Sequence, residues 1–382
     1  MEFKVMSIKK AFLSLVRLGI GHAADCIGGD VDWNAIKALA DRHGLSAIVL
    51  DGLNSLDAYE MPQMLRLEWI GNVLQNYEGR YADYRKRIGE LAGFYNQHGF
   101  KLMVLKGYGL SLNWPNPKHR PCGDIDVWLF GQQAAADKAL GSWFKVHGSR
   151  SEIDNSHHHH TVFEWKGYSV ENHYDFVNVH YGHGNDELEK VLKELADETN
   201  VNDNLNDNNG SISKGTEITS VLVDGERVYL PSPNLHALFL LRHCMQDFAS
   251  AELNLRQVLD WAFFIEKHTS EIDWNWLSET IRKFKMTDFF NVLNAICVGE
   301  LGFDAKIFPA VQFDPFMKER VLNEILAPSF SREEPKRLIP RLTYKYRRWK
   351  GNAWKQELCY HDSRWIAFWN GVWSHILKPK SI

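Results

Sequence analysis

Cysteine is scarce in this chain, and its copies form no recognisable pattern. There are five, an odd number, scattered over 382 residues with no Cys-x-x-Cys pair: Cys26, Cys122, Cys244, Cys297 and Cys359. A disulfide framework needs an even set of cysteines, and a zinc ribbon needs closely spaced pairs, so both classes are excluded. The pattern favours a reducing compartment, and we expect the protein to be cytoplasmic.

Long apolar runs and a strong net charge are also missing. No segment approaches the roughly 20 apolar residues that a membrane-spanning helix needs, and the formal net charge is only −4. We therefore predict no transmembrane segment, and no binding of nucleic acid through overall charge. With 45% hydrophobic residues in 382, the chain is long enough for two or three globular domains.

A mixed centre lies between two helical regions. Residues 1–98 and 231–382 carry apolar residues at helical spacing, whereas residues 99–230 contain short β-rich runs separated by turn residues. Lys166-Gly167 and Asp224-Gly225 are predicted hairpin turns in that central part. We therefore predict an α+β protein, with a small mixed β-sheet core flanked by an N-terminal and a C-terminal helical region.

The most informative pattern is a pair of aspartates one residue apart. Asp124 and Asp126 lie in a β-rich run, where alternate side chains share one face of a strand. Two carboxylates crowded on one face repel each other unless a divalent cation lies between them. Upstream, Lys106-Gly107 ends another β-rich run with a turn suited to phosphate. Together these features predict metal-assisted chemistry on a nucleoside triphosphate.

These motifs resemble a known family. Lys106-Gly107, Arg120, Gly123-Asp124-Ile125-Asp126 and Val170-Glu171-Asn172-His173 are similar to the bacterial nucleotidyltransferase-like family of the polymerase-beta superfamily. Within it, they resemble the branch described only as uncharacterised nucleotidyltransferases. The resemblance covers residues 30–270. It implies a nucleotidyltransferase core in the central part of the chain.

The resemblance also implies a site and a reaction. Asp124, Asp126 and Glu171 would be the catalytic carboxylates on neighbouring strands and would bind two Mg²⁺ ions, with Mn²⁺ able to substitute. Gly107 would lie on the phosphate side. The reaction would move a nucleoside monophosphate from a nucleoside triphosphate to an acceptor. The sequence leaves the acceptor open among small molecules, sugars, RNA and proteins.

Three further residues are candidates for binding the nucleotide phosphates: Lys106, Arg120 and His173. Cations beside the site can neutralise the charge that builds on the pyrophosphate leaving group. Simpler roles compete, because Lys106 could extend from a strand end into solvent and Arg120 could pair with Asp124. Glu171 could also accept the proton of the attacking hydroxyl.

Two other functions compete with the enzyme. One is a non-catalytic nucleotide-binding or regulatory module that has the same fold. The other is a nucleic-acid-interacting protein that acts through residues 336–355, where eight basic residues alternate with aromatic ones and no acid occurs. The same segment could bind an anionic membrane surface. The aromatic spacing in residues 365–377 favours a helix docked on the protein body instead.

Histidines and one aspartate on a predicted helix complete the candidates. The run from His157 to His160 could bind zinc, but without nearby cysteines we expect an ordinary extended segment whose side chains alternate between faces. Asp260 is predicted to pair with Arg256, one helical turn before it. His243 and Asp260 are also candidates for the acceptor side of the cleft.

Overall fold

The computed structural model describes residues 8–25, 31–56, 60–149, 151–179, 184–202, 213–250, 252–309, 312–330, 335 and 337–361. The described α-helices, in chain order, are α1 (Ile8–Gly19), α2 (Trp33–His43), α3 (Ser46–Asn54), α4 (Gln63–Val73), α5 (Arg80–Gln97), α6 (Tyr108–Ser111), α7 (Gln133–Val146), α8 (Asn185–Leu195), α9 (Pro233–Ser250), α10 (Leu255–His268), α11 (Trp274–Lys283), α12 (Thr287–Gly299), α13 (Pro315–Leu326), α14 (Leu338–Gly351) and α15 (Ala353–Tyr360). A π-helical segment, Leu74–Gly79, joins α4 to α5.

Six strands form one mixed sheet. They are β1 (Met103–Val104), β2 (Ile125–Trp128), β3 (His160–Trp165), β4 (Tyr168–His173), β5 (Thr219–Val223) and β6 (Glu226–Leu230). Their order in the sheet is β3-β4-β2-β1-β6-β5. The pairs β2–β4 and β1–β6 are parallel, and the remaining pairs are antiparallel. The predicted α+β fold with a mixed sheet and flanking helices is confirmed.

Both predicted hairpin turns are present. Lys166 and Gly167 have φ values of 49° and 90°, and Asp224 and Gly225 have φ values of 52° and 90°. Positive φ at both central residues is the requirement of the two-residue turn that matches the twist of paired strands. These turns create the β3–β4 and β5–β6 hairpins, which form the two outer parts of the sheet.

Two hydrophobic cores lie on the two faces of the sheet. One face packs on α5 and α7 through a core that includes Tyr84, Leu140 and Val127. The other face joins a larger core in which the N-terminal and C-terminal helices pack together, exemplified by Phe12 and Trp261. Helices from both ends of the chain therefore share one core. The division of the sequence at residues 98 and 230 stays a prediction.

The start of α10 is fixed by a capping box. The Asn254 side chain caps the first turn, and the Gln257 side chain accepts a hydrogen bond from the Asn254 backbone N–H at 2.9 Å. Such reciprocal caps satisfy two otherwise unpaired N–H groups. The cap fixes the first turn of α10, which carries residues that line the cavity described below.

Part of the basic C-terminal segment docks on the protein body. Lys355 is 3% exposed and pairs with Glu324 at 2.8 Å, while Trp354 packs edge-to-face on Phe248. On α14, by contrast, Tyr346 is exposed. Residues 365–377 lie outside the described residues. None of the described helices is both long and apolar enough to cross a membrane.

Candidate active site

A cavity of about 170 Å³ lies between the sheet and helices α9 and α10. It is lined by six of the seven residues predicted as site residues: Lys106, Gly107, Arg120, Asp124, Asp126 and Glu171. The seventh, His173, lies behind the cavity wall in contact with two of them. The fold therefore brings together residues that lie 65 positions apart in the sequence, from 106 to 171.

The carboxylates converge because of the strand register. Asp126 on β2 lies directly opposite Glu171 on the parallel strand β4. These two and His173 each offer a ligand atom within 4.8 Å of the others. Asp124 precedes β2, is exposed and lines the same cavity. Partial desolvation and then the negative charges of Glu171 and Asp126 raise the pKa of Asp124.

Asp126 is buried, and two cations hold it in its charged form. The Lys106 Nζ atom lies 2.6 Å from Asp126 Oδ1, and the His173 Nε2 atom lies 3.4 Å from the same oxygen. Burial alone would raise the pKa of Asp126, but Lys106 and then His173 lower it far below its usual range. The protein thus supplies positive charge of its own among the carboxylates.

The surroundings of His173 favour its charged form. Burial would lower its pKa, but hydrogen bonds to Asp126 and Glu171 raise the pKa of His173 to about 9. His160 lies opposite His173 on β3, with its Nδ1 atom 3.8 Å from Glu171 Oε2. Burial lowers the pKa of His160 to about 4.

The histidine run does not alternate as an extended segment. Residues 157–159 form bends, and β3 begins only at His160. As a result the rings of His157 and His160 stack, with centroids 4.7 Å apart. The prediction that these two side chains point to opposite faces is wrong, because alternation holds only within the strand.

Gly107 is required by its neighbours and by its backbone. Its φ of +52° is one that other residues rarely adopt, and an added Cβ would collide with the hydroxyl of Tyr84. That hydroxyl donates a hydrogen bond to the backbone oxygen of Asp124 at 2.8 Å. The Gly107 turn and the start of β2 are thus joined through one side chain of α5.

Arg120 makes a buried ion pair that the sequence does not predict. Its Nε and Nη2 atoms donate to the two carboxylate oxygens of Asp260 at 2.7 and 2.9 Å, and Trp114 Nε1 donates to Asp260 at 2.8 Å. Both charged side chains are about 4% exposed. Asp260 therefore pairs with Arg120 and not, as predicted, with Arg256. For the same reason Arg120 does not form the alternative pair with Asp124. The role of Arg120 in phosphate binding stays a prediction.

Arg256 is a functional candidate that sequence reasoning treated only as an ion-pair partner. It lines the cavity, and its Nη1 atom donates to the backbone oxygen of Pro121 at 3.4 Å. Among the described residues, no carboxylate lies within ion-pair distance of it. Burial and then the neighbouring Arg120 lower the pKa of Arg256. The signal available in the sequence was the position of Arg256, four residues before Asp260 on the same predicted helix.

His243 also lines the cavity, as the sequence suggested. Its Nε2 atom lies 3.5 Å from Asp247 Oδ2, and the same oxygen accepts a hydrogen bond from Gln257 Nε2 at 2.5 Å. Burial is the main cause that lowers the pKa of His243. The ring is therefore oriented by a carboxylate that α10 holds in place.

Comparisons with known proteins identify the family of the chain. A family model described as "Uncharacterised nucleotidyltransferase" matches residues 29–298, more than half of the chain. None of the curated proteins compared with the chain matches it. One solved structure, an antigenic nucleotidyltransferase-like protein from Paracoccidioides brasiliensis, is 14% identical over 52% of this chain and 87% of that chain. Its TM-score is 0.31, which is a weak structural similarity. On the family match, the chain belongs to the uncharacterised nucleotidyltransferase family.

Proposed function

We propose that this protein is a metal-dependent nucleotidyltransferase of the polymerase-beta type. It would transfer a nucleoside monophosphate from a nucleoside triphosphate to an acceptor hydroxyl or similar group. The observation that carries the proposal is the convergence of Asp124, Asp126 and Glu171 on one cavity, in a chain that belongs to a nucleotidyltransferase family.

The donor set suits two Mg²⁺ ions, with Mn²⁺ as a substitute. Mg²⁺ prefers oxygen ligands, and the three carboxylates supply them on one side of an open cavity. Partial burial and then the like charges of Glu171 and Asp126 raise the pKa of Asp124, and a cation would relieve that repulsion. Bound ions would stabilise the charge that develops on the attacking and leaving oxygens. Asp124, Asp126 and Glu171 are the residues that would hold them.

The cations around the carboxylates have distinct tasks in this proposal. Lys106 has a partly exposed, flexible side chain, so it can turn from Asp126 to a nucleotide phosphate. His173 is 3% exposed and contacts both Asp126 and Glu171, so it orients these carboxylates rather than reaching the nucleotide. We therefore move the predicted phosphate contact away from His173.

Arg256 is the residue that we assign to the triphosphate. Arg120 already has its charge matched by Asp260, whereas Arg256 faces the cavity with donors to spare. A guanidinium offers up to five N–H donors suited to phosphate oxygens. An anionic phosphate would supply the partner that this half-buried cation needs.

The acceptor side is assigned to His243. Glu171 is a poor proton acceptor, since the hydrogen bond from His173 opposes the effect of burial and lowers the pKa of Glu171. His243 lines the same cavity and is oriented by Asp247. A neutral imidazole held by a carboxylate is suited to receive the proton of an attacking hydroxyl.

The test is transfer of label from α-labelled nucleoside triphosphates, with Mg²⁺ and a cell extract as the source of acceptor. The wild type should label a component of the extract. Asp126→Asn should reduce labelling by about a thousandfold or more, because it removes charge that stabilises the transition state. The matched control is Asp224→Asn, at the exposed β5–β6 turn, which should label like the wild type.

Two results would redirect the proposal. Equal labelling by wild type and Asp126→Asn would show that the carboxylates are not the catalytic centre. Binding of triphosphate by the wild type without labelling under any condition would favour the non-catalytic nucleotide-binding module.

A further inference from the structure

A second group of possible metal ligands adjoins the carboxylates. His159, His160 and His173 each offer a ring nitrogen within 4.8 Å of the others. His160 begins β3 and His173 ends β4, and the two are directly opposed across the hairpin. The backbone oxygen of His159 accepts hydrogen bonds from the N–H groups of Tyr174 and Asp175 at 3.0 and 3.1 Å. The three imidazoles are thus held together by strand pairing and backbone contacts.

Two of these imidazoles have an unsatisfied buried nitrogen. The Nδ1 atoms of His159 and His160 are buried and have no hydrogen-bond partner among the described residues. The nearest charged group to His160 Nδ1 is Glu171 Oε2, at 3.8 Å. Buried polar atoms normally have partners, and each exception needs an explanation. A metal ion bound to the lone pairs of these nitrogens would provide that explanation.

We propose that His159, His160 and His173 form a transition-metal site, distinct in ligand chemistry from the carboxylate site, and that its ion is of the Zn²⁺ class.

The donor type selects the ion. Imidazole is a good ligand for Zn²⁺, Co²⁺ and Ni²⁺, whereas Mg²⁺ prefers oxygen. Three histidines leave one coordination position open, as in zinc sites that keep a water. Zinc–nitrogen bonds of about 2.0–2.1 Å place the nitrogens about 3.4 Å apart, so rings now within 4.8 Å need to close by about 1 Å. His159 is only half-buried, which leaves a path for the ion.

The site shares His173 with the carboxylate group, where its Nε2 atom contacts Asp126 and Glu171 and its Nδ1 atom contacts the Asp175 backbone oxygen. A metal ion at the site therefore replaces one ring proton of His173. The site does not depend on the transferase proposal. His159 and His160 do not line the active-site cavity. Metal binding at the histidines can be measured without a nucleotide or an acceptor. A protein that binds Zn²⁺ here and transfers nothing would contradict the proposed function alone.

The experiment is metal titration of the full chain after treatment with a chelator. Zn²⁺ binding is followed by calorimetry, and Co²⁺ binding by visible absorption, whose intensity reports tetrahedral coordination. The wild type should bind one tight equivalent of Zn²⁺ with nitrogen ligands. His159→Asn and His160→Asn should each weaken that binding by about a hundredfold or more, since each removes one of three ligands.

His157→Asn is the matched control, because it comes from the same histidine run but lies outside the three-histidine group. It should change Zn²⁺ affinity by less than about threefold, well below the effect of losing a ligand. Asp124→Asn, in the carboxylate group, should also keep Zn²⁺ binding. His159 is half-buried, so its variant should fold, and its melting temperature in chelator checks this.

Three outcomes would overturn the proposal. They are unchanged Zn²⁺ affinity in His159→Asn and His160→Asn, an equal loss in His157→Asn, and binding of several weak equivalents. The second would mean that the histidine run binds metal as a flexible chain rather than as this site.

Discussion

The two walls of the cavity balance their charges in different ways. On the sheet side, Asp126 pairs with Lys106, whose side chain is 19% exposed, and with His173, which also contacts Glu171. On the helix side, Arg120 and Asp260 are joined by two short hydrogen bonds and are nearly inaccessible. The sheet wall therefore contains charged side chains that can change partners. The helix wall contains a closed pair that maintains the shape of the cavity.

The largest expected effect tests the closed pair. Arg120→Met should lower the free energy of unfolding by about 3–5 kcal/mol, because it leaves the Asp260 charge buried without its partner. Urea unfolding measures the change. Lys106→Met is the comparison from the sheet wall, and it should cost clearly less since Lys106 is partly exposed. Equal losses from the two variants would remove the distinction between the walls.

The next effect concerns Arg256 on the helix wall. Arg256→Met should weaken binding of Mg²⁺–ATP by about 10- to 100-fold, the loss expected for hydrogen bonds to a charged group. Stability should change little, because no carboxylate is left behind. Calorimetric titration with ATP gives the affinity, and AMP serves as the control ligand.

The AMP control shows whether Arg256 contacts the terminal phosphates of ATP or the part of the nucleotide that AMP shares with it. If Arg256 contacts the terminal phosphates, AMP binding should be nearly unchanged in the variant. Unaltered ATP affinity in a folded Arg256→Met protein would contradict the assignment.

The smallest effect contrasts His173 with His236, a buried histidine of α9. Hydrogen bonds to two carboxylates raise the pKa of His173 to about 9, whereas burial lowers the pKa of His236 to about 3. The His236 Nε2 atom lies 3.0 Å from the Leu105 backbone oxygen. Unfolded His236 gains a proton near pH 6.5, but the folded form does not. Stability from this residue is therefore complete above pH 6.5 and lost as the pH falls toward 3.

His236→Gln provides the measurement of that pH dependence. Between pH 7 and pH 5, the wild type should lose about 2 kcal/mol of unfolding free energy relative to this variant. Urea unfolding at several pH values gives the difference, and other titrating groups cancel in it. A difference that stays constant with pH would show that His236 is not held neutral.

The sheet wall could be predicted in large part from the sequence, and the helix wall could not. Asp126 lies on β2 and Asp124 immediately before it, both lining the cavity as the paired aspartates predicted, and the family resemblance supplied Glu171. The ion pair of Arg120 and Asp260 joins residues 140 positions apart, so local spacing instead favoured Arg256. Only the packing of α10 against the loop before β2 decides between the two arginines.

The charge balance of the carboxylates shows a second limit. From the sequence, two aspartates one residue apart imply repulsion that a metal must relieve. In the structure, Lys106 and His173 already neutralise Asp126. Strand register places His173 there, two residues beyond Glu171 and across from His160. Register depends on pairing between distant segments, so the sequence did not reveal the third imidazole beside the histidine run.

The contact between Gly107 and Tyr84 links two positions that are 23 residues apart. A hydroxyl occupies the space that any other residue at position 107 would need for its Cβ atom, and the same hydroxyl holds the backbone of Asp124. The residues at positions 84 and 107 should therefore vary together among relatives. A relative with a larger residue in place of Gly107 should lack the tyrosine at position 84. Its backbone at the position of Asp124 should then be held by a different hydrogen bond.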